Sequence, residues 1–232
     1  MVSEGKYYFL SRPRRFGKSL LLSTLKAYLE GQRELFKALA IEQLEKEWKQ
    51  YPVLYLDLNA EKFTSTSALE SLLDENLRRW EQEYDITQIE QTFAGRFRSV
   101  IRQAFNTTGN KVVILVDEYD KPLLQAIDNP SLQSDYRDIL KAFYGNLKSC
   151  DEYIRFAMLT GVSKFSHVSI FSDLNNLTDI SLDRRYADIC GITSDEIDHC
   201  FTEGIDNIAK HTENTAEEVK ELWQRGYASS YY

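Results

Sequence analysis

The sequence predicts an α/β fold in which a mostly parallel β-sheet is flanked by helices. Short apolar runs that are typical of buried strands recur along the chain, at residues 7–10, 52–58, 111–116 and 154–160. Segments whose apolar residues recur at helical spacing lie between them. The run KVVILV at 111–116 is apolar after its first residue, as expected for a parallel strand covered on both faces. Strands that alternate with helices in this way favour a parallel sheet.

Periodic apolar residues predict four helices beside these strands, at residues 19–30, 67–84, 86–105 and 136–148. Residues 34–50 predict one or two further helices. The apolar face of that segment would carry Leu35, Leu39, Leu44 and Trp48.

A small polar C-terminal part is expected after the sheet. Residues 177–182 predict a short fifth strand, and residues 194–209 and 216–223 predict helices. We therefore divide the chain into an α/β domain at 1–190 and a helical segment at 191–232.

Composition excludes several classes of protein. The chain has 232 residues and a formal net charge of −8, and an acidic chain is a poor free binder of nucleic acid. Its three cysteines are far apart with no CxxC pair, so neither a disulfide framework nor a zinc site is expected. The histidines His167, His199 and His211 have no metal-ligand spacing. Without a signal peptide or a run of about 18 apolar residues, we expect a cytoplasmic protein with no membrane span.

A phosphate-binding turn is predicted between the first strand and the first helix. Residues 11–19, SRPRRFGKS, contain the second half of the P-loop pattern G-x-x-x-x-G-K-[ST]. In that pattern, backbone amides and the helix N-terminus attract phosphate oxygens, and Gly17 lets the backbone come close. Lys18 would reach the β- and γ-phosphates, and the Ser19 hydroxyl would ligate Mg²⁺. The candidate nucleotide-binding residues are Arg14, Arg15, Phe16, Gly17, Lys18, Ser19 and Leu20.

The turn departs from the pattern at its start. The first glycine would lie at position 12, where the sequence has Arg12, and Pro13 stiffens the turn. A basic surface turn in which Arg14 and Arg15 are solvated is therefore the alternative interpretation of this motif taken alone.

An acidic strand end follows the KVVILV run. A hydrophobic strand that delivers Asp117 and Glu118 to the rim of the sheet resembles a Walker B element. Asp117 would then hold Mg²⁺, and Glu118 would be the catalytic base that activates the attacking water. The alternative is a strand that ends in solvated acids. Just beyond it, Asp120 and Lys121 are expected to hold the loop by a salt bridge.

Two further positions are candidates for catalytic roles. Thr160 ends the strand at 154–160, where its side chain could contact the γ-phosphate or the attacking water. A threonine that caps a helix is an equal alternative. Arg184 and Arg185 follow the fifth strand, and either could serve as an arginine finger, the alternative being a basic pair on the surface.

These motifs resemble those of the predicted AAA-ATPase-like family of bacteria. The resemblance covers nearly the whole chain, and its RPRRFGK[ST] and DEYDKPL signatures together are highly specific. The segments that carry it are SRPRRFGKSLLLSTLKAYLEG (11–31), YPVLYLDL (51–58), VVILVDEYDKPLL (112–124) and LTGVSKFS (159–166).

The resemblance implies an additional-strand P-loop ATPase with the sheet order 5-1-4-3-2. The family tolerates a residue other than glycine at the position of Arg12. Its members often carry a C-terminal nuclease-like domain of the PD-(D/E)XK type. We expect this chain to stop before such a domain and both of its ends to be truncated.

The leading hypothesis is an ATPase that uses ATP and Mg²⁺, with Lys18, Glu118 and Thr160 as catalytic residues and Ser19 and Asp117 as metal ligands. ATP is favoured over GTP because no guanine-reading N-K-x-D follows Asp117. The second hypothesis is a nucleotide switch with negligible turnover that controls a partner or a missing nuclease-like domain. The third is a nucleic-acid-processing component that acts only through such a domain. A homo-oligomer is compatible with all three.

Overall fold

A computed structural model describes residues 1–163, 177–191, 193–212 and 214–228. Its centre is a five-stranded sheet in which every strand pairing is parallel. The strands lie in the order β2-β3-β4-β1-β5, which is 5-1-4-3-2 when read from the β5 edge. They are β1 (Tyr7–Ser11), β2 (Val53–Asp57), β3 (Val112–Asp117), β4 (Ile154–Gly161) and β5 (Thr178–Asp179).

Helices connect these strands and form the C-terminal part. The described α-helices are α1 (Lys18–Leu29), α2 (Ala40–Leu44), α3 (Thr66–Glu83), α4 (Phe93–Thr108), α5 (Lys121–Gln125), α6 (Pro130–Tyr144), α7 (Asn146–Ser149), α8 (Ser194–Cys200), α9 (Thr202–Thr212) and α10 (Ala216–Ala228). Short 3₁₀ turns occur at Arg33–Phe36, Asp151–Tyr153 and Arg184–Tyr186.

The sheet has a hydrophobic core on each face, so the predicted α/β class is confirmed. On one face α3, α4 and α6 pack against the strands, while α1 covers the other face. Every residue of β3 is buried, which explains why this strand has no alternating pattern. The helix α1 buries Leu22, Leu25 and Leu29, at the spacing of a helix with one apolar face.

The parallel arrangement fixes where polar side chains collect. Because all pairings are parallel, the carboxyl ends of the strands lie at one edge of the sheet and the amino ends at the other. The register sets Asp57 of β2 opposite Asp117 of β3, and Val116 opposite Leu159 of β4. We call the two sides the carboxyl edge and the amino edge.

Three C-terminal helices form a small cluster of their own. Ile197, Ile205 and Val219 are buried against one another, and each comes from a different helix. Thr193 begins α8 with a capping box, in which it accepts from the Glu196 amide while the Glu196 carboxylate accepts from the Thr193 amide.

Several predicted elements need correction. Residues 34–50 form only a 3₁₀ turn and the five-residue α2, and the predicted apolar face is wrong, because Leu35, Leu39 and Leu44 are exposed and Phe36 is buried instead. The helix predicted at 86–105 begins only at Phe93, where Thr92 caps its first turn.

Other helix boundaries also differ from the expected ones. The helix predicted at 136–148 is two helices, and its first part begins at Pro130 after the capping Asn129. The helix predicted at 194–209 breaks at Phe201 into α8 and α9. The fifth strand is only the two residues of β5. His167, named above for its lack of metal-ligand spacing, lies outside the described residues. So does the end of the LTGVSKFS segment, residues 164–166.

Candidate functional site

The turn between β1 and α1 has an open helix N-terminus. Gly17 is the N-cap residue of α1, with φ 75°, and no side chain caps the helix there. A residue with a Cβ would be strained at this φ, which explains the glycine. The first turn of α1 contains no acidic residue, so no carboxylate of the helix itself neutralises the positive end of the helix dipole. This geometry suits an anion.

Lys18 connects this turn to the acidic strand end. Its side chain is buried, and its Nζ donates to the main-chain oxygens of Arg12 at 3.1 Å and Pro13 at 3.2 Å. The same nitrogen is 3.1 Å from Oε1 of Glu118. The two motifs that lie about a hundred residues apart in the sequence therefore meet at one ion pair.

Glu118 is held in an unusual environment. Its backbone has φ 53°, in the left-handed region that non-glycine residues seldom adopt. Burial raises the pKa of its carboxyl group, and the Lys18 ammonium opposes that rise. A strained, half-buried carboxylate beside a lysine is the kind of group that functional sites often contain.

Asp117 and Thr160 form a second buried pair at the carboxyl edge. The Thr160 hydroxyl donates to Oδ1 of Asp117 at 2.6 Å, and both residues are almost fully buried. Tyr55 of β2 lies beside them. Burial raises the pKa of the Tyr55 phenol, and the nearby Asp117 carboxylate raises it further. Thr160 therefore caps no helix, and its hydroxyl orients the Asp117 carboxylate.

The predicted salt bridge between Asp120 and Lys121 is wrong. The fully buried Asp120 carboxylate accepts instead from the amides of Val162 at 3.1 Å and Ser163 at 2.7 Å. Lys121 donates to the main-chain and side-chain oxygens of Asn59 at 2.7 and 2.9 Å. The two side chains thus tie the loop after β3 to two different neighbours, the residues that follow β4 and the loop after β2.

Arg12, which occupies the position of the first P-loop glycine, is buried. Its guanidinium donates to the main-chain oxygens of Ser181 and Tyr186, on the segment that follows β5. The Ser11 amide donates to the Ser181 hydroxyl at 2.8 Å. Arg12 therefore ties the start of the turn to a segment some 170 residues away, which no local sequence signal predicts.

The remaining candidates divide into buried and exposed residues. Phe16 is buried, whereas Arg14, Arg15, Ser19 and Leu20 are exposed around the turn. Arg15 has φ 69°, which together with Gly17 gives the turn its sharp bend. The Arg185 guanidinium is bound to the Asp183 carboxylate at 2.6 Å, whereas the exposed Arg184 makes no side-chain hydrogen bond or ion pair with any described residue.

Asp57 is a carboxylate at this edge that was not among the predicted site residues. This residue ends β2 directly opposite Asp117, and its Oδ1 accepts from the Asn59 amide at 2.7 Å. Its position at the end of the apolar YPVLYLDL run was the available signal, since the carboxyl ends of neighbouring parallel strands meet at one edge.

A magnesium ion is compatible with the donors at this edge. Among the described residues, no group of three or more His, Cys, Asp or Glu side chains could enclose a metal ion. Mg²⁺ that accompanies a nucleotide needs few protein ligands, because phosphate oxygens and waters complete its octahedron. One hydroxyl on α1 and one carboxylate at the end of β3 are the hard oxygen donors that such an ion prefers.

The architecture is that of an α/β protein with a mostly parallel five-stranded sheet and flanking helices, consistent with a P-loop-like fold. Comparison with known proteins gives the family. The family model described as "Predicted AAA-ATPase" matches residues 1–171, and the chain belongs to this family.

One curated relative extends the match. The chain is 40% identical over 227 residues to an uncharacterized protein in the vnfD 5' region of Azotobacter chroococcum mcd 1. The alignment covers 98% of this chain but 43% of the relative, so the chain spans less than half of the relative's length. No solved structure matches. Within the described residues, none of the helices combines the length and the apolarity that crossing a membrane requires.

Proposed function

We propose that the chain is an additional-strand P-loop ATPase module that binds ATP with Mg²⁺ and hydrolyses it. The observation that carries the proposal is the 3.1 Å contact between Lys18 and Glu118, which brings the phosphate turn and the acidic strand end to one place. The strand order 5-1-4-3-2 is the order that the resemblance implies for this class. The family description, a predicted AAA-ATPase, supports the same reading.

In this proposal the triphosphate lies over the N-terminus of α1. The amides of the turn and of the first turn of α1 donate to phosphate oxygens, and the exposed Arg14 and Arg15 add positive charge around them. Lys18 leaves the oxygens of Arg12 and Pro13 and binds the β- and γ-phosphates. Phe16 and Leu20 flank the bend, and Leu20 offers an exposed apolar surface to the nucleotide.

Ser19 and Asp117 would hold the metal ion in this site. Mg²⁺, when bound, supplies positive charge to the β- and γ-phosphates. The hydrogen bond from Thr160 fixes the orientation of the Asp117 carboxylate, which would hold the ion directly or through a metal-bound water. Thr160 therefore acts first as a positioning residue for Asp117.

Glu118 would be the general base. When Lys18 turns to the phosphates, the Glu118 carboxylate is released close to the γ-phosphate. It accepts a proton from a water whose oxygen bonds to the γ-phosphorus, while the bond from that phosphorus to the bridging oxygen breaks and ADP leaves. The raised pKa of Glu118 makes the carboxylate a stronger base than a solvated glutamate.

The ion pair also favours a second candidate function. With Lys18 and Glu118 bound to each other, neither group is free for phosphate or water, so the resting arrangement is that of a closed switch. The chain covers 43% of its curated relative, which leaves room for an effector region that nucleotide occupancy would control. A cytoplasmic module of residues 1–190, followed by helices that lead to a partner or to a nuclease-like domain, would work in this way. Arg184 of a neighbouring copy would be its arginine finger.

A nucleotide titration tests both candidates. ATP and GTP are titrated calorimetrically into wild type and Lys18→Ala with and without Mg²⁺, and phosphate release is measured in parallel. We expect wild type to bind ATP more tightly with Mg²⁺, and Lys18→Ala to lose about 100-fold or more in affinity, since several charged hydrogen bonds are removed. Lys26→Ala is the matched control, because Lys26 lies on the same helix and pairs with Glu30.

The outcomes separate the readings. Binding with phosphate release supports the ATPase, and binding without release supports the switch. If wild type and Lys18→Ala bind ATP equally, or if neither binds it, the nucleotide site is wrong.

A further inference from the structure

A cavity lies at the amino edge of the sheet, away from the phosphate turn. It has a volume of about 560 Å³, within the range of roughly 300–1,000 Å³ that is common for small-molecule sites. It lies between the C-terminal half of α1 and the segment before β2, and residues 1–3 close one side. Because the strands begin here, the cavity shares none of the carboxyl-edge residues described above.

The walls of the cavity are mainly apolar and aromatic. Tyr28, Phe36 and Tyr51 line it together with Leu25, Leu29 and Ile41. Behind them the Trp48 ring packs against Phe36 at 5.3 Å and against Tyr28 at 5.8 Å between ring centroids. An aromatic lining of this kind gives a flat or aliphatic molecule a large contact area.

Arg155 is a half-buried cation of the cavity wall without a hydrogen-bond or ion-pair partner among the described residues. It lies at a register irregularity in β4, where Val112 pairs with Ile154 but the next residue, Val113, pairs with Phe156. Such a bulge redirects a side chain and is common next to functional sites.

Two carboxylates line the cavity, those of Glu45 and Glu47, and Glu45 is already hydrogen-bonded. Glu45 accepts from the Tyr28 hydroxyl at 2.6 Å with one oxygen and from the amides of Lys46 and Glu47 with the other. The ammonium of Lys49 lies over the Tyr51 ring at the rim. Glu47 and Lys49, which also line the cavity, are exposed to solvent, whereas Arg155 is half-buried, and its planar guanidinium fork matches a carboxylate or phosphate.

The backbone beside the cavity is strained. Trp48 has φ 44°, in a region that is a genuine outlier for a bulky residue, and its indole nitrogen is buried without a hydrogen-bond partner among the described residues. Strain of this kind persists where the surroundings fix it, and it is often found at ligand sites. Here it holds the Trp48 ring against the two aromatic walls.

We propose that this cavity is a second ligand site, which binds a small organic anion. Its carboxylate or phosphate group pairs with Arg155, and its apolar body lies against Tyr28 and Phe36. The site is independent of the nucleotide site, so the proposal stands whether or not the carboxyl edge binds ATP.

The test uses 2-naphthoate as the anionic probe and 2-naphthamide as its neutral match, both titrated calorimetrically into the full chain. We expect saturable binding of naphthoate by wild type and at least tenfold weaker binding of naphthamide, because a charged hydrogen-bonded pair is lost. In Arg155→Gln, naphthoate should bind about as weakly as naphthamide. Arg98→Gln, at an exposed arginine outside the cavity, should behave as wild type.

Two further variants keep the test decisive. Thr24→Trp, at an exposed position on the cavity wall, should abolish naphthoate binding while the circular dichroism spectrum is unchanged. Lys18→Ala should leave naphthoate binding unchanged, which separates this site from the proposed nucleotide site. The proposal is overturned by any of three results: no saturable naphthoate binding below about 1 mM, equal affinity of wild type for both probes, or undiminished naphthoate binding in Arg155→Gln.

Discussion

The two edges of the sheet differ in whether the charged groups at the proposed ligand site already have partners. At the carboxyl edge, Lys18 pairs with Glu118, and Thr160 binds the Asp117 carboxylate. At the amino edge, the Arg155 guanidinium faces an open cavity and makes no such bond with any described residue. A ligand at the carboxyl edge must therefore exchange one set of bonds for another, whereas a ligand at the amino edge adds bonds to a guanidinium that has none within the described part of the chain.

This difference has consequences for affinity and for stability. Breaking the buried pair of Lys18 and Glu118 costs part of the energy gained from phosphate contacts, because each charge loses its partner in a low-dielectric place. The same internal bonds stabilise the empty fold. At the amino edge the Arg155 guanidinium gives up no hydrogen bond or ion pair with a described residue when it binds a ligand.

The largest effect is expected from Glu118→Gln, which breaks the ion pair at the carboxyl edge. Glu118→Gln removes the proposed base and releases Lys18, so phosphate release should fall about 100-fold or more. ATP should bind at least as tightly as in wild type, because Lys18 no longer has to leave a carboxylate. Phosphate release and a calorimetric ATP titration measure the two effects.

Glu61→Gln, at an exposed glutamate outside the site, is the matched control for this variant. Phosphate release by Glu118→Gln at the wild-type rate would remove Glu118 from the proposed mechanism. Weaker ATP binding in this variant would show that the ion pair does not hold Lys18 back.

The second effect compares one arginine from each edge. Arg12→Met removes the buried guanidinium that binds the carbonyls of Ser181 and Tyr186, and should lower the free energy of unfolding by about 2 kcal/mol. Arg155→Gln should change it by less than about 0.5 kcal/mol, since no hydrogen bond is lost. Urea unfolding measures both. Equal losses from the two variants would contradict the contrast between the edges.

Much of the carboxyl edge could be predicted from the sequence, because its parts are local. The apolar KVVILV run predicted β3 and placed Asp117 and Glu118 at its end, and the Gly17-Lys18-Ser19 turn predicted the start of α1. These elements follow from periodicity and turn chemistry within about ten residues. The roles proposed for these residues remain predictions.

Contacts that join distant segments could not be predicted. The bonds from Arg12 to residues after β5, and the two partners that replace the expected salt bridge of Asp120 and Lys121, depend on tertiary packing. The predicted apolar face of residues 34–50 was wrong for a related reason. Its leucines have helical spacing, but tertiary packing buries Phe36 against the Trp48 ring, and the leucines are exposed.

A smaller effect is expected from a variant of the Asp117–Thr160 pair at the carboxyl edge. Thr160→Val keeps the shape of the side chain but removes its hydrogen bond to Asp117, and should cost about 1 kcal/mol of stability because a buried carboxylate loses a donor. If Thr160 positions Asp117 for the metal, the gain in ATP affinity on adding Mg²⁺ should also shrink several-fold.

Thr178→Val is the control for this variant, because Thr178 is exposed on β5. A loss of stability without any change in the Mg²⁺ effect would limit Thr160 to a structural role. The comparison requires calorimetric titrations with and without Mg²⁺ on the same preparations.

The smallest expected effect concerns Asp151, an exposed charge at the amino edge that has partners and should contribute little to the free energy of unfolding. Asp151 accepts from Lys6 and from the Tyr7 hydroxyl, both at 2.7 Å, and these bonds hold the pKa of its carboxyl below its usual value near 3.8. A lowered folded-state pKa adds stability that is present above pH 3.8 and is lost as the pH falls through the folded value.

Because Asp151 is more than half exposed, Asp151→Asn should cost less than about 1 kcal/mol at pH 7. Urea unfolding from pH 7 to pH 3 should show the difference shrinking only below about pH 4. A difference that persists unchanged at pH 3 would mean that Asp151 acts through its shape and hydrogen-bonding geometry, since its charge would then contribute nothing.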